Sequence, residues 1–320
     1  MDSTRIIRLE LNSRIRLKSK TLIIAYTCLP FASKMTIFRI QINGILLMQI
    51  NKLTRILFSP TGTTRKIIFG ISDRMDYEEE QTIDLTHPAN RENLEYHSSR
   101  KDELFILAVP VYEERIPEVI KASLENIKGN GQPIALVAVY GNIGYGLCLK
   151  EMQDWARKAG FIVVAGAAFI GEHSFSHDQL PLAKGRPDMM DLYHARHFGN
   201  SIMKKVERIN NIIEYKEQIF PGQLPLMAKL LPGNSSKFFA QYPTVNHKKC
   251  NQCKLCNKMC PSGAINPETL EIDKSKCLHC FSCVRVCKPG ARNIKLKMSP
   301  IVKSVLNSQT SKNKLPEIFI

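Results

Sequence analysis

Apolar residues are gathered along the chain into short runs separated by polar, helix-periodic stretches. Residues 53–58, 103–109, 133–140 and 161–170 are runs of strand length rich in Ile, Val, Leu and Phe, and residues 82–85 form a shorter one. The long runs are nearly continuous rather than alternating, which is the pattern of strands covered on both faces. Helix-like stretches follow several of them: RKIIFGISDRM, IPEVIKASLENI, LCLKEMQDWARKAG and, after the last run, DMMDLYHARHFGNSIMKKVERI. Strand and helix in alternation predict an α/β fold, a doubly wound five-stranded parallel sheet. Trp155 and Cys148 read as core residues of that fold. Asp188, after Arg186 and Pro187, reads as the N-cap of the last helix.

Ligands of such sheets bind beyond the carboxyl ends of the strands, so the loops there carry the chemistry. The first is SPTGTT. Its Thr61-Gly62 turn, the hydroxyls of Ser59, Thr61, Thr63 and Thr64, and the free amides of the following helix can surround a phosphate without a cation. No Gly-Lys-Ser/Thr is present, so this is not a nucleoside-triphosphate loop. A plain Pro-Gly turn with a threonine cap fits the same residues. The third strand end places Tyr112 just beyond Pro110, and the fourth places Tyr145 in the loop Gly141-Asn142-Ile143-Gly144-Tyr145. Glycines let backbone approach a flat ring, and one aromatic from each loop can cover a face of it. Ordinary core tyrosines are the competing reading. His173 and His177, after the fifth strand, either line a substrate or proton path or hydrogen-bond their own loop.

Outside this region the pattern changes. Residues 1–47 carry Arg14, Arg16, Lys18 and Lys20 ahead of an apolar run from Thr21 to Ala32 that imitates a signal peptide and is too short to span a bilayer. The reading preferred is a basic, apolar extension outside the fold, with Met48 opening the first domain at 48–209. Residues 210–247, rich in Pro, Gly and apolar side chains, predict a connector that packs on one or both domains. A small second domain occupies 248–298. The tail, 299–320, is polar until its last residues and takes no assignment.

Eight of the ten cysteines lie between Cys250 and Cys287. Cys250, Cys253, Cys256 and Cys260 recur 27 positions later as Cys277, Cys280, Cys283 and Cys287, so the segment is an internal duplication of C-x2-C-x2-C-x3-C. One tight loop with this spacing offers three thiolates to a cubane, and the fourth cysteine serves the other cluster. The expected sets are Cys250, Cys253, Cys256 and Cys287 for the first cluster, and Cys277, Cys280, Cys283 and Cys260 for the second. Zinc sites close at four ligands and pair C-x2-C knuckles well apart, and disulfides suit small secreted scaffolds; neither fits.

The formal charge of +16 suggests nucleic acid until its distribution is read. Residues 1–47 hold eight Lys/Arg against two Asp/Glu, residues 48–246 hold 23 of each, residues 247–287 seven against three, and residues 288–320 seven against one. The large middle is neutral, and lysines beside the cysteines oppose the negative charge of thiolates and sulfides. No nucleic-acid partner is therefore expected.

The cysteine segment resembles a bacterial-type ferredoxin with two 4Fe-4S clusters, departing from it where Lys288 rather than proline follows Cys287. The S-x-T-G-x-T loop and Gly141 to Tyr145 resemble the phosphate and flavin loops of the flavodoxin family, with Asn142 in place of the usual Asp. Together they resemble the flavodoxin-domain ferredoxins of anaerobic microbes, electron carriers with a flavodoxin-like FMN domain fused to a small α+β two-cluster domain. The resemblance implies two 4Fe-4S clusters and FMN as cofactors, and FMN contacts from Ser59, Thr61, Gly62, Thr63, Thr64, Tyr112, Gly141, Asn142 and Tyr145. It also implies a cytoplasmic electron-transfer flavoprotein whose partners are redox proteins or a small redox substrate. The alternative is a flavin-dependent reductase with its own small substrate, supplied through the clusters.

Overall fold

In the computed structural model, residues 48–209, 212, 215–224, 239–297 and 300–320 are described. The expectation for residues 1–47 falls outside them, apart from four short backbone segments at 5–7, 22–26, 41–42 and 45–46 that pair antiparallel with one another. The expectation for connector residues 225–238 likewise lies outside the described residues.

Strands β1 (Lys52–Leu57), β2 (Glu79–Asp84), β3 (Glu103–Pro110), β4 (Pro133–Tyr140) and β5 (Ile162–Ile170) run parallel in the order β2-β1-β3-β4-β5. The order reverses between β1 and β3, and that reversal is the point where doubly wound sheets of this order bind their ligand. Alternate residues of β3 show why the runs are continuous. Phe105, Leu107 and Val109 enter one core with Ile120, Leu149 and Met152, while Leu104, Ile106 and Ala108 enter the other with Ile67, Ile71 and Phe198. The first core lies under helices α2 (Glu118–Glu125) and α3 (Cys148–Lys158), the second under α1 (Thr63–Ser72) and α4 (Met189–Glu207). Asp188 caps α4 as expected, accepting from the backbone of Met190 and Asp191. Cys148 is buried, and Trp155 donates from Nε1 to Leu124 O at 2.9 Å.

Two elements differ from expectation. β2 begins earlier than its apolar run, because residues 79–82 of this edge strand are exposed and its apolar demand is confined to Ile83 beyond them. The sheet also has six strands rather than five: β6 (Glu317–Phe319), from the tail, pairs antiparallel with β5, Gly166 opposite Phe319. Phe220 of the connector lies beside this pair, 5.5 Å between ring centroids from Phe319 and so close to Gly166 that a Cβ there would stand 2.5 Å from it. The described part of the connector therefore packs on the first domain. Phe220 N donates to Gln153 Oε1 at 3.1 Å, and Glu217 accepts from Val163 N and Arg157.

The cysteine segment repeats its backbone as it repeats its sequence. Gln252, Lys254 and Gly263 have φ of 57, 57 and 63°, and 27 positions on His279, Phe281 and Gly290 have 52, 55 and 63°. Helical turns follow at α5 (Leu255–Lys258) and α6 (Ser282–Arg285). In each run a left-handed residue directly precedes the right-handed helical turn, the backbone form that favours bound anionic groups.

Candidate functional site: two cysteine sets against a loop cluster

The phosphate-loop candidate is built by the end of β1. Ser59 N donates to Thr86 Oγ1 at 2.9 Å and Gly62 N to Ser59 O at 3.2 Å, which closes the turn with Gly62 at φ 86°. Arg65 N donates to Ser59 Oγ at 3.0 Å, and the hydroxyls of Thr61 and Thr63 stand 3.3 Å apart. Thr64 Oγ1 is buried without a hydrogen-bond partner among the described residues. A buried hydroxyl at a helix start with nothing to bond costs free energy that a bound phosphate oxygen would remove, so the loop fits the group expected there.

Tyr112 is packed beside Phe58, edge to face at 6.3 Å, and its hydroxyl is held well above the usual phenol range by burial and by the Cys280 thiol nearby. Asn142 has φ 64°; its Nδ2 donates to Gln309 O and Lys312 O, both at 2.8 Å, while Oδ1 stays buried with no partner among the described residues, an acceptor that a ring N–H would satisfy. Tyr145 donates to Glu317 Oε2 at 2.6 Å, with its ring 5.6 Å from Tyr140. Gly141 leaves no room for a Cβ, which would stand 2.2 Å from His173. His173 Nδ1 accepts from Phe175 N at 3.0 Å, and burial, with the Arg285 charge, pulls its pKa down to about 4. The imidazole is thus a neutral packing and acceptor group. His177 is tied to Phe175 O at 2.8 Å.

Sequence reasoning missed two contributors. Glu114, at φ 64°, presses on Gly144 and Gly146; its carboxyl is raised by burial and its Oε2 is unpartnered among the described residues. The tail is the other. Besides its carbonyls on Asn142, Lys314 Nζ donates to Ile143 O at 2.9 Å and sits 5.7 Å over the Tyr140 ring, while Arg186 donates to Lys314 O at 2.9 Å. The readable signal was the apolar close of the tail, EIFI, which is too short to be assigned without its partner strand.

The structure brings the cysteines together in the crossed sets. Cys250, Cys253, Cys256 and Cys287 line one cleft with Val245, Leu270 and Arg292. Cys277 and Cys260 stand near enough to Cys280 and Cys283 to disfavour their ionisation. Burial is the larger cause, pushing Cys280 up to about 12 and Cys283 higher still. Thiolates in such a place need positive charge beside them, which irons supply. Among the described residues no three His, Cys, Asp or Glu side chains stand close enough to hold a single ion. Four thiols around one cleft are the number that a cubane takes, one thiolate per iron.

The two sets differ in where they lie. Ser282 Oγ, in the second run, donates to Pro60 O of the phosphate loop at 2.6 Å; Arg91 donates to Pro261 O, next to Cys260, at 2.6 Å. Arg285 pairs with Glu172 at 2.8 Å and donates to His173 O and Ser176 O. Phe281 packs on Phe175 at 5.6 Å. Every one of these contacts falls on the set of Cys277, Cys280, Cys283 and Cys260. Cys280 and Cys283 are buried, whereas Cys253 is exposed.

Residues 242–288 match the family model described as a 4Fe-4S dicluster domain. Over about half its length the chain is also similar to solved flavodoxins: one from the domain Archaea (14% identity, 49% of this chain and 99% of that one, TM-score 0.33), flavodoxin 2 of Bacillus cereus (17%, 48% and 99%, 0.35) and the Fusobacterium nucleatum flavodoxin bound to flavin mononucleotide (18%, 48% and 98%, 0.33). No curated protein matches. By its strand order and its matched segment the chain joins a flavodoxin-like sheet to a 4Fe-4S dicluster domain. Among the described residues no helix is long and apolar enough to cross a membrane.

Proposed function

We propose that the chain is an electron-transfer iron–sulfur flavoprotein. Cys250, Cys253, Cys256 and Cys287 hold one 4Fe-4S cluster, and Cys277, Cys280, Cys283 and Cys260 hold the second. FMN takes its phosphate at Ser59, Thr61, Gly62, Thr63 and Thr64 and its ring at Tyr112 and the loop of Gly141, Asn142 and Tyr145. When bound, clusters supply one-electron chemistry and the flavin one- or two-electron chemistry, while the protein orients and tunes them. In this reading residues 48–209 form the FMN unit, 210–247 the connector and 248–298 the cluster unit.

The observation that carries the reading is the seat of the second cysteine run on the phosphate loop, through Ser282 and Pro60. It supports a path in which the second set is next to the flavin and the first set is remote from it. Anaerobic purification with iron, sulfide and flavin quantification tests the cofactor content. Stopped-flow reduction then tests the path: flavin reduction is expected at a rate independent of protein concentration, and a rate rising linearly with concentration would leave two carriers that merely share a chain. The reductase alternative has one observation in its favour, the half-buried Glu114 carboxyl beside the Gly141–Tyr145 loop, with its shielded Oε2 unpartnered among the described residues, a group able to hold a proton. Glu114→Gln separates the two readings. It leaves one-electron exchange unchanged if the protein is a carrier and lowers turnover of any two-electron substrate if it is a reductase.

A further inference from the structure

The first cysteine set opens on a face whose charge is of one sign. Residues 247–260 contain Lys248, Lys249, Lys254 and Lys258 and no acidic residue; residues 287–297 contain Lys288, Arg292, Lys295 and Lys297, again with none. Lys248, Lys249, Lys254, Lys258 and Lys288 are exposed, and among the described residues none of them forms an ion pair. Lys254 lines the cleft itself, beside Leu255, which is 39% exposed. The acidic residues of 247–297, Glu268, Glu271 and Asp273, lie in the connection between the runs, where Asp273 is engaged by Ser275 and Lys276.

We propose that this lysine-rimmed cleft is the docking surface for an acidic one-electron carrier protein. The inference deepens the reading above and rests on its assignment of a cluster to Cys250, Cys253, Cys256 and Cys287. Two observations favour a protein over a polynucleotide. The cleft sets a part-exposed aliphatic side chain, Leu255, beside an exposed thiol, Cys253, and three half-buried ones, an apolar contact with a polar rim. Among the described residues no aromatic side chain lines the cleft to stack a base, which single-strand binding uses. The exchange across the face is one electron per encounter: the partner is oxidised by one, the chain is reduced by one, and no proton or bond is transferred. Ringed charges of one sign chiefly steer such encounters, raising the association rate at low salt.

The lysines also offset cluster charge, so a test must separate steering from tuning. The probe is a small, strongly acidic [2Fe–2S] ferredoxin, mixed with the full chain after its iron, sulfide and flavin have been quantified. Lys249→Glu together with Lys254→Glu is expected to lower the association rate constant at low salt by about tenfold or more and to flatten its salt dependence, whereas Lys158→Glu with Lys204→Glu changes it by less than about twofold. Cofactor content and flavin absorbance stay unchanged in both. A chain with full cofactors whose association is unaffected, or whose cluster potential shifts while the association rate does not, overturns the docking surface alone. Tighter binding of a DNA oligonucleotide than of the ferredoxin at the same salt also overturns it. A chain that takes up no iron overturns the parent reading and this proposal with it.

Discussion

Leu255 and Ser282 hold the same position in the two repeated cysteine runs, 27 residues apart, yet Leu255 is 39% exposed beside an open cleft and Ser282 is fully buried against Pro60. The residues between the cysteines explain the difference. The first run fills its spacers with Asn251, Gln252, Lys254, Asn257 and Lys258; the second fills the matching positions with Leu278, His279, Phe281, Val284 and Arg285. Spacing is dictated by cluster geometry and is the same in both. Burial is dictated by the spacers, and apolar ones seat the second run on Phe175 and the flavodoxin-like core. A duplicated unit has thus been divided into an inner and an outer half without touching a single ligand.

The largest effect expected of this comparison comes from the crossed fourth cysteines. On the crossed ligation proposed above, Cys260→Ala would remove a ligand from the inner set although it lies in the outer run, and Cys287→Ala would do the reverse. Each is expected to cost about half of the cluster iron. Anaerobic electron paramagnetic resonance tells them apart, because only Cys260→Ala strips the centre adjoining the flavin and uncouples flavin reduction from the remaining cluster. Damage confined each time to the cluster of the mutated run would break the crossed assignment.

Next in size is the flavin side. Deleting residues 311–320 removes β6, the Lys312 carbonyl on Asn142, the Lys314 bond to Ile143 O and the Glu317 acceptor of Tyr145. Net contributions of about 0.5–1.5 kcal/mol per hydrogen bond make a rise of about tenfold or more in the FMN dissociation constant the expected outcome. Flavin fluorescence titration measures it, and iron content should not change. Equal loss of iron would mean that the tail supports the whole molecule rather than the loop.

That dependence on the tail marks the boundary of what could be read from the chain. Strands β3, β4 and β5 were legible because burial on both faces writes nearly unbroken apolar runs. The dicluster segment was legible because cysteine spacing is a local constraint, and residues 242–288 match that family model. β6 was not, since three residues on a sheet edge acquire meaning only from Gly166 and Phe220, far away in sequence. Which cysteine run lies inward was not read from the sequence; the burial of Phe281 against the exposure of Lys254 shows that the spacers decide it. Glu114 left no signal, because its left-handed backbone and half-buried carboxyl follow from the glycines of a loop about 30 positions later.

A smaller effect isolates the seat itself. Ser282→Ala leaves Pro60 O without its 2.6 Å donor at a buried position, a cost of about 1–3 kcal/mol against the packing of the two domains. Faster proteolysis of the connector and slower flavin–cluster transfer are expected, with full iron content. Leu255→Ala, at the same place in the outer run, should do neither. Identical behaviour of the two variants would remove the inner–outer distinction.

The smallest effect is a pH dependence confined to the inner half. His173 lies between Gly141 of the flavin loop and the second run, facing Arg285 and Glu172, and burial with the Arg285 charge lowers its pKa from about 6.5 to about 4. The separated or unfolded state therefore takes up the proton first. The stability contributed by the neutral ring is complete above about pH 6.5 and is lost progressively as pH falls toward 4, at less than about 1.4 kcal/mol per pH unit because one proton is involved and the ring is only partly buried. Denaturant titrations followed by flavin release should show that decline in the wild-type chain and a flatter profile in His173→Asn, which keeps a short acceptor without titrating. Iron release from the outer set should follow the same curve in both proteins, since among the described residues no histidine lines its cleft. A matching flattening there would show that the pH effect belongs to the cysteines and not to the seat.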